Sequence, residues 1–198
     1  MSDAPASWSR TGIQAEVRVE TEDYARGARR RFAATLGFIS TLPAPILDLG
    51  PANAMARAIE KQFEVRVEHT DAHDLDRESL RQFRSGPYGT ITAFEILEHV
   101  LNPLFVLEGC REVLRPDGVL YVTVPRRHPH EWLFGKSPEH FHEFAPDELR
   151  WVIEKAGFRI DRFVMANVSE WSPGIRPLLR RWFQNLLLVR CILERRGN

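Results

Sequence analysis

Two sets of residues in this chain have the types and spacing that chemistry requires, and the first surrounds residues 48–52. Asp48 and Gly50 close a short apolar run, and Pro51 and Ala52 follow directly. Small side chains let a ligand approach the main chain closely, and the N–H groups at the start of a helix attract its polar or charged end. We therefore predict a ligand-binding turn formed by Asp48, Gly50, Pro51 and Ala52.

Histidines form the second set. His99 follows a β-rich run, and four others lie in a stretch rich in proline and aromatic residues: His128, His130, His140 and His142. Imidazole titrates near neutral pH, so it suits a general base that takes a proton from a hydroxyl or an amine. We predict that His99 lines the pocket, that residues 128–142 cover it, and that His99, His140 or His142 is the base.

Histidine beside carboxylate also permits a zinc or iron site. The candidate pairs are His128 with His130 and His140 with His142, each close to a glutamate. Neither pair has the i, i+4 spacing by which a helix presents two metal ligands on one face, and we assign no metal.

Hydrophobic periodicity predicts the elements that position these residues. Helices are expected over residues 22–41, 52–63, 103–114, 146–156 and 178–196, with a short one at 77–83. Strands are expected over residues 46–50, 65–69, 88–95, 119–124 and 158–164. This alternation predicts an α/β fold with a doubly wound, mostly parallel sheet. Ligands of such sheets bind at the carboxyl ends of the strands, here Gly50, Glu68, Glu95 and Pro125.

Four segments carry motifs beyond the predicted elements, at residues 46–54, 88–103, 110–120 and 140–158. Together they resemble class I S-adenosylmethionine-dependent methyltransferases of the small-molecule type. Residues 46–54 are similar to motif I, an acidic residue before a Gly-x-Gly-x-Gly turn, with Ala52 and Ala54 at the second and third glycine places. Residues 88–103, with Leu-Glu-His at 97–99, resemble the fourth-strand segment. Residues 110–120 resemble the helix and turn before strand five, and residues 140–158 resemble a run common in members that act on small molecules.

The resemblance implies a Rossmann-like methyltransferase fold, S-adenosylmethionine as cofactor, and methyl transfer to a small molecule, at oxygen. Asp48, Gly50 and Ala52 would line the methionine end of the cofactor, and Glu95 and His99 would face the transfer site. The expected cofactor contacts are Asp48, Gly50, Pro51, Ala52, Glu68, Asp71, Phe94 and Glu95.

The segment between motif I and the fourth strand is shorter than in the family, which has two strands and a helix there. Only residues 65–87 are available, so we expect a fold shortened between strands one and four. Glu68 suits the acid that binds the ribose hydroxyls, whereas Asp71 lies in a segment like the later loop that contacts adenine. The two assignments for the adenosine half of the pocket stay open.

The unusual motif I also leaves a second function open, a catalytically degenerate member that acts as a binding or partner module. A Rossmann dehydrogenase is disfavoured, because Gly50, Ala52 and Met55 do not form its Gly-x-Gly-x-x-Gly turn.

Composition limits the classes of binding partner and the cellular compartment that we expect. The chain has 27 basic and 27 acidic residues, and this balance argues against a nucleic-acid partner. Cys110 and Cys191 are too few for a disulfide framework. No signal-peptide pattern opens the sequence, and no apolar run reaches the roughly 18 residues of a membrane span, so we expect a reducing cytoplasm.

The last segment is predicted to be an amphipathic helix. We expect a loose segment at residues 1–20, a methyltransferase-like domain at 21–172, and the helix within 173–198. Its apolar face would dock on the domain or on a second copy in a homodimer. The alternative is peripheral membrane contact through residues 176–196, whose arginines would face anionic lipid and whose position would suit a lipid-linked acceptor.

Overall fold

A six-stranded sheet organises the protein, whose computed structural model describes residues 22–71, 73–83, 86–127, 140–168 and 185–194. The strands are β1 (Ile46–Asp48), β2 (Val67–His69), β3 (Tyr88–Phe94), β4 (Leu114–Pro125), β5 (Phe158–Ala166) and β6 (Leu186–Leu193). Their spatial order is β2-β1-β3-β4-β6-β5, and β6 runs antiparallel to both of its neighbours. The pairings among β1 to β4 are parallel, which confirms the predicted mostly parallel sheet.

Four helices flank the described sheet: α1 (Glu22–Phe38), α2 (Ala54–Phe63), α3 (Pro103–Val113) and α4 (Pro146–Lys155). Local chemistry fixes where α2 and α3 begin. The Asn53 side chain accepts a hydrogen bond from the backbone N–H of Ala56, and the Asn102 side chain accepts one from that of Phe105. Such caps satisfy N–H groups that have no partner inside the helix. The short helix predicted at 77–83 is instead a single 3₁₀ turn, Leu80–Gln82.

The core has two parts, because successive strand residues point to opposite faces of the sheet. Leu120 and Val122 of β4 pack on the face covered by α3 and α4, whereas Val119 and Tyr121 pack on the face that carries Phe38 of α1 and Ile59 of α2. Helices on both faces are the mark of a doubly wound fold, as predicted.

The stretch between β1 and β3 carries only α2, β2 and the 3₁₀ turn among its described residues. The family's fourth strand corresponds to β3 here, so the predicted shortening between strands one and four of the family is confirmed. One consequence is that β2 forms an edge of the sheet and that β1 lies between β2 and β3.

The predicted C-terminal helix is wrong for residues 186–193, which form β6. Leu187, Val189 and Cys191 are fully buried between β4 and β5, so this segment is part of the domain core. A continuous apolar run fits a buried strand as well as a buried helix, and the sequence pattern does not separate them. The expected membrane contact through residues 176–196 depended on that helix and loses its basis here; residues 169–184 and 195–198 lie outside the described part.

Among the described residues, no helix has the length and apolar character needed to cross a membrane.

Candidate functional site

The first half of the candidate site is built on Asp48, the last residue of β1. Its register partners are His69 at the end of β2 and Thr92 in β3. Asp48 is 4% exposed; the Thr92 hydroxyl donates to its Oδ1 at 2.5 Å, and His69 Nδ1 lies 3.5 Å from its Oδ2. Burial raises the pKa of Asp48, although the contacts with His69 and Thr92 oppose this rise, and the contact with Asp48 raises the pKa of His69.

The turn after β1 is held by the residues that follow β2. The backbone N–H of Gly50 donates to Thr70 Oγ1 at 2.7 Å, and the N–H of Ala52 donates to Asp71 Oδ1 at 3.0 Å. Gly50 has φ +108°, and an added Cβ would lie 3.1 Å from Ile96 Cδ1, so glycine is required by conformation and by space. Ala52 is exposed at the tip of the turn, with half-buried Pro51 before it.

Glu68 and Asp71, the two acids proposed for the adenosine, have different surroundings. Glu68 lies one residue before the end of β2, and its carboxylate accepts a 2.6 Å hydrogen bond from the hydroxyl of Tyr88 at the start of β3. Asp71 is exposed and contacts the turn itself through Ala52. The structure therefore brings Asp71, and not Glu68, into contact with the motif I turn.

The second half of the site follows β3. Phe94 is half-buried against the core on the α1 and α2 face. Glu95 has φ +54°, a left-handed conformation that is uncommon for a residue with a side chain and is often found at functional sites. The Glu95 N–H donates to the Thr123 carbonyl at 2.8 Å, and its Oε2 lies 3.4 Å from an Arg31 guanidinium nitrogen of α1.

Glu98, His99 and His140 form a cluster immediately beyond Glu95. One ligand-type atom from each of the three side chains lies within 4.8 Å of the others. The His99 and His140 rings meet edge to face, with centroids 4.9 Å apart. Glu98 is 1% exposed, and burial raises its pKa to about 8. Neither carboxyl oxygen of Glu98 has a hydrogen-bond partner among the residues that the structure describes.

Backbone contacts bring His140 to this cluster. The N–H groups of Phe141 and His142 donate to the Glu98 carbonyl at 2.8 and 3.2 Å. His142 makes different contacts: its Nε2 lies 3.2 Å from the Leu101 carbonyl oxygen, and its ring contacts Phe144. Of the three predicted bases, His99 and His140 are brought together and His142 braces the turn. His128 and His130 lie outside the described residues.

Sequence reasoning missed three residues of this site as functional candidates: His69, Thr92 and Glu98. Each becomes visible only through its partners across the sheet or the turn. For Glu98, the available signal is an acidic residue directly after the apolar pair Ile96-Leu97 and before His99.

Comparison with known proteins identifies the family. Residues 22–162 match the family described as a methyltransferase domain. The chain belongs to the class I S-adenosylmethionine-dependent methyltransferases. This confirms the predicted family and its cofactor, S-adenosylmethionine, and the family match extends over the turn after β1 and the cluster after β3.

Curated relatives carry a more specific name. A ubiquinone biosynthesis O-methyltransferase of Acinetobacter baumannii is 26% identical over 149 residues, which are 69% of this chain and 59% of that protein. The protein of that name from Cereibacter sphaeroides is 30% identical over 143 residues, 63% of this chain and 56% of its own. The methyltransferase chain thus spans less than three fifths of the length of these relatives.

Solved structures share the fold. A chain in the complex between the Trm112 methyltransferase activator and a methyltransferase of Haloferax volcanii superimposes with a TM-score of 0.62 at 15% identity, over 87% of this chain and 94% of that one. An S-adenosylmethionine-dependent methyltransferase of Archaeoglobus fulgidus gives 0.59 at 12% identity, over 86% and 94%. Identities this low establish the shared architecture only.

Proposed function

We propose that this protein transfers the methyl group of S-adenosylmethionine to a hydroxyl oxygen of a small-molecule acceptor. One observation carries the proposal: the motif I turn after β1 and the Glu95–His99 turn after β3 lie at the same carboxyl edge of the sheet. That edge is where ligands of doubly wound sheets bind. The relatives named as O-methyltransferases favour oxygen as the accepting atom.

The residues at this edge fit the cofactor. S-adenosylmethionine offers an ammonium group, a sulfonium and ribose hydroxyls, all of which pair with carboxylate oxygens. Asp71 can accept a ribose hydroxyl while it holds the Ala52 N–H, because a carboxylate has two accepting oxygens. Glu95 presents a second carboxylate at the end of β3, and Gly50 leaves the main chain of the turn without a Cβ.

Bound S-adenosylmethionine supplies an activated methyl group, so the task of the protein is alignment. Asp48 fixes the turn by joining β1 to β2 and β3, and His99 and His140 face the acceptor beside it. The acceptor oxygen attacks the methyl carbon as the carbon–sulfur bond breaks, which yields a methyl ether and S-adenosylhomocysteine. His99 or His140 takes the hydroxyl proton.

Isothermal titration calorimetry of the purified protein with S-adenosylmethionine and S-adenosylhomocysteine tests the cofactor half. Ala52→Arg places a bulky cation at the exposed tip of the turn, and we expect it to weaken binding at least tenfold, about 1.4 kcal/mol. Gln62→Arg is the matched control, since it adds the same side chain to an exposed position of α2. Wild type and control should bind equally. Equal binding by Ala52→Arg would contradict the assignment of this turn.

Methyl transfer itself is tested with a panel of phenolic acceptors that includes ubiquinone precursors, and products are read by mass spectrometry. We expect wild type to form a methylated product and Ala52→Arg to form less of it. A folded protein that binds the cofactor but methylates none of the panel would exclude these acceptors.

A degenerate binding module is the second candidate, and one observation favours it. Thr70 and Asp71 already occupy the N–H groups of Gly50 and Ala52, which leaves fewer main-chain donors for a ligand. Absence of cofactor binding by the folded wild type would support this reading. Binding that then returns in Ala52→Gly would assign the loss to the Ala52 methyl group.

A further inference from the structure

The buried carboxyl of Glu98 is the least explained group in the described part of the protein. It is 1% exposed, and both of its oxygens lack hydrogen-bond partners among the described residues. Burying a polar group without partners is costly, and most buried polar groups in folded proteins have a partner in the protein, a ligand, an ion or an ordered water. His99 and His140 each offer an imidazole nitrogen within 4.8 Å of a Glu98 carboxyl oxygen.

We propose that Glu98, His99 and His140 bind one divalent transition-metal cation. One carboxylate and two imidazoles form a typical ligand set for zinc, iron, cobalt or manganese, and two nitrogen donors disfavour magnesium, which prefers oxygen. Ligand atoms of a tetrahedral zinc site lie about 3.4 Å apart. The three atoms here lie within 4.8 Å of one another, so shifts of about 1 Å by side-chain rotation close the site.

The backbone prepares this arrangement before any ion arrives. Hydrogen bonds from Phe141 and His142 to the Glu98 carbonyl fasten the segment that carries His140 onto the turn that carries Glu98 and His99. Asp76 braces the following residues, since its carboxylate accepts the N–H groups of Leu101 and Asn102 at 3.0 and 2.9 Å. Ligands from two distant parts of the chain are thus held together by contacts that do not involve their side chains.

Three protein ligands leave at least one coordination position open, as in catalytic zinc sites and unlike closed structural ones. The site lies beside Glu95 at the carboxyl end of β3, on the acceptor side of the proposed pocket. The role of the ion rests on the proposed methyl transfer: the acceptor hydroxyl oxygen would occupy the open position, and the cation would make its proton easier to lose to water. In the metal-bound protein His99 and His140 therefore act as ligands, and neither takes the hydroxyl proton. The site thereby favours acceptors with an ionisable hydroxyl.

The test measures metal binding directly, without cofactor or acceptor. Protein stripped of metal with a chelator and dialysed is titrated calorimetrically with ZnCl₂, MnCl₂ and MgCl₂. We expect one zinc per chain, with magnesium at least about tenfold weaker. Equal affinity for magnesium would overturn the choice of a nitrogen-preferring ion, and no zinc binding by the folded wild type would overturn the site.

Variants assign the ligands. Glu98→Gln and His140→Asn should each weaken zinc binding at least about tenfold. Two matched controls should retain it: Glu108→Gln on the exposed side of α3, and His142→Asn, whose imidazole contacts the Leu101 carbonyl. Zinc binding that is unchanged in Glu98→Gln and His140→Asn would overturn the assignment. Because Glu98 is buried, His140→Asn keeps the test decisive if Glu98→Gln does not fold.

Thermal unfolding is the second measurement, because a ligand that binds only the folded state raises the midpoint. Excess zinc should raise the Tm of wild type and of both controls, and leave that of Glu98→Gln and His140→Asn unchanged. A shift of equal size in all five proteins would overturn the proposal. Loss of cofactor binding with zinc binding intact would refute the methyl-transfer role alone, so the two proposals fail separately.

Discussion

The turn after β1 and the turn after β3 lie at one edge of the same sheet, and they treat their buried acids in opposite ways. Asp48 accepts from Thr92 and contacts His69, and the next residues of its turn donate to Thr70 and Asp71. Glu98 is as deeply buried, yet its oxygens have no partner in the described structure. The acid of the first turn has partners, and the acid of the second turn has none in the described structure.

The difference separates two ways of preparing a site. A self-satisfied turn holds its shape without a ligand, so it can pre-position a main chain for close approach at little cost. A turn with an unsatisfied acid is less stable until an ion or a proton arrives. We therefore expect loss of a contact to Asp48 to lower the stability of the metal-free protein, and removal of the unpartnered Glu98 carboxyl to raise it.

The largest expected effect is a difference in stability between two variants at equally buried threonines, Thr92 and Thr123. Thr92→Val removes the donor to Asp48 and should lower the free energy of unfolding by about 1–3 kcal/mol. Thr123→Val makes the same change on β4, where the hydroxyl has no described partner, so the free energy of unfolding should stay the same or rise. Urea unfolding measures both. Equal losses in the two variants would show that the Asp48 network is not special.

A second prediction addresses the deficit around Glu98. Glu98→Met replaces an unpartnered carboxyl by an apolar side chain, so the chelator-treated protein should gain about 1–2 kcal/mol in unfolding free energy. Glu108→Met, at an exposed position of α3, is the control and should stay within about 0.5 kcal/mol of wild type. A less stable Glu98→Met would mean that the carboxyl is satisfied in the metal-free protein.

The smallest expected effect is a pH dependence at His69. Its folded-state pKa is raised, first by the contact with Asp48 and further by the charges of Asp71 and Glu60. The folded state therefore holds the His69 proton more tightly than the unfolded state, whose pKa is near 6.5. The resulting stability is complete below that value and is lost as pH rises through the folded-state pKa.

His69→Asn isolates this contribution. The difference in unfolding free energy between wild type and variant should shrink from about pH 6 to about pH 9. The raised pKa of Asp48 acts with the same sign at lower pH, so the comparison is made above the range in which a carboxyl normally titrates. A difference that is independent of pH would contradict a charged His69 in the folded protein.

Much of the fold could be predicted from the sequence, because periodicity and turn residues act locally. The bounds of α1 to α4 and of β1 to β5 lie within a few residues of their predicted positions, apart from β4, which begins five residues earlier. The exception at the end of the chain is β6: the run from Leu186 to Val189 is apolar at every position and has no periodicity to read. Burial on both sides of the strand explains that composition.

The site was predictable only in part. Asp48, Gly50 and His99 carry sequence signals, since they occupy strand ends and a turn that needs glycine. The cluster of Glu98 with His140 depends on two residues 42 positions apart in the sequence. Their proximity comes from hydrogen bonds between the backbones of the two segments, and no local pattern reports such contacts.

Strand β6 also determines the order in which the protein can be assembled. Val119 of β4 pairs with Ile192, and Phe158 of β5 pairs with Leu193, so in the described sheet β6 lies between the two earlier strands and pairs with both. During synthesis, β1 to β4 can pair as they emerge, whereas β5 must wait. The described sheet is complete only when β6 inserts between β4 and β5. A fragment that ends before residue 185 would leave one edge of β4 unpaired and prone to aggregation.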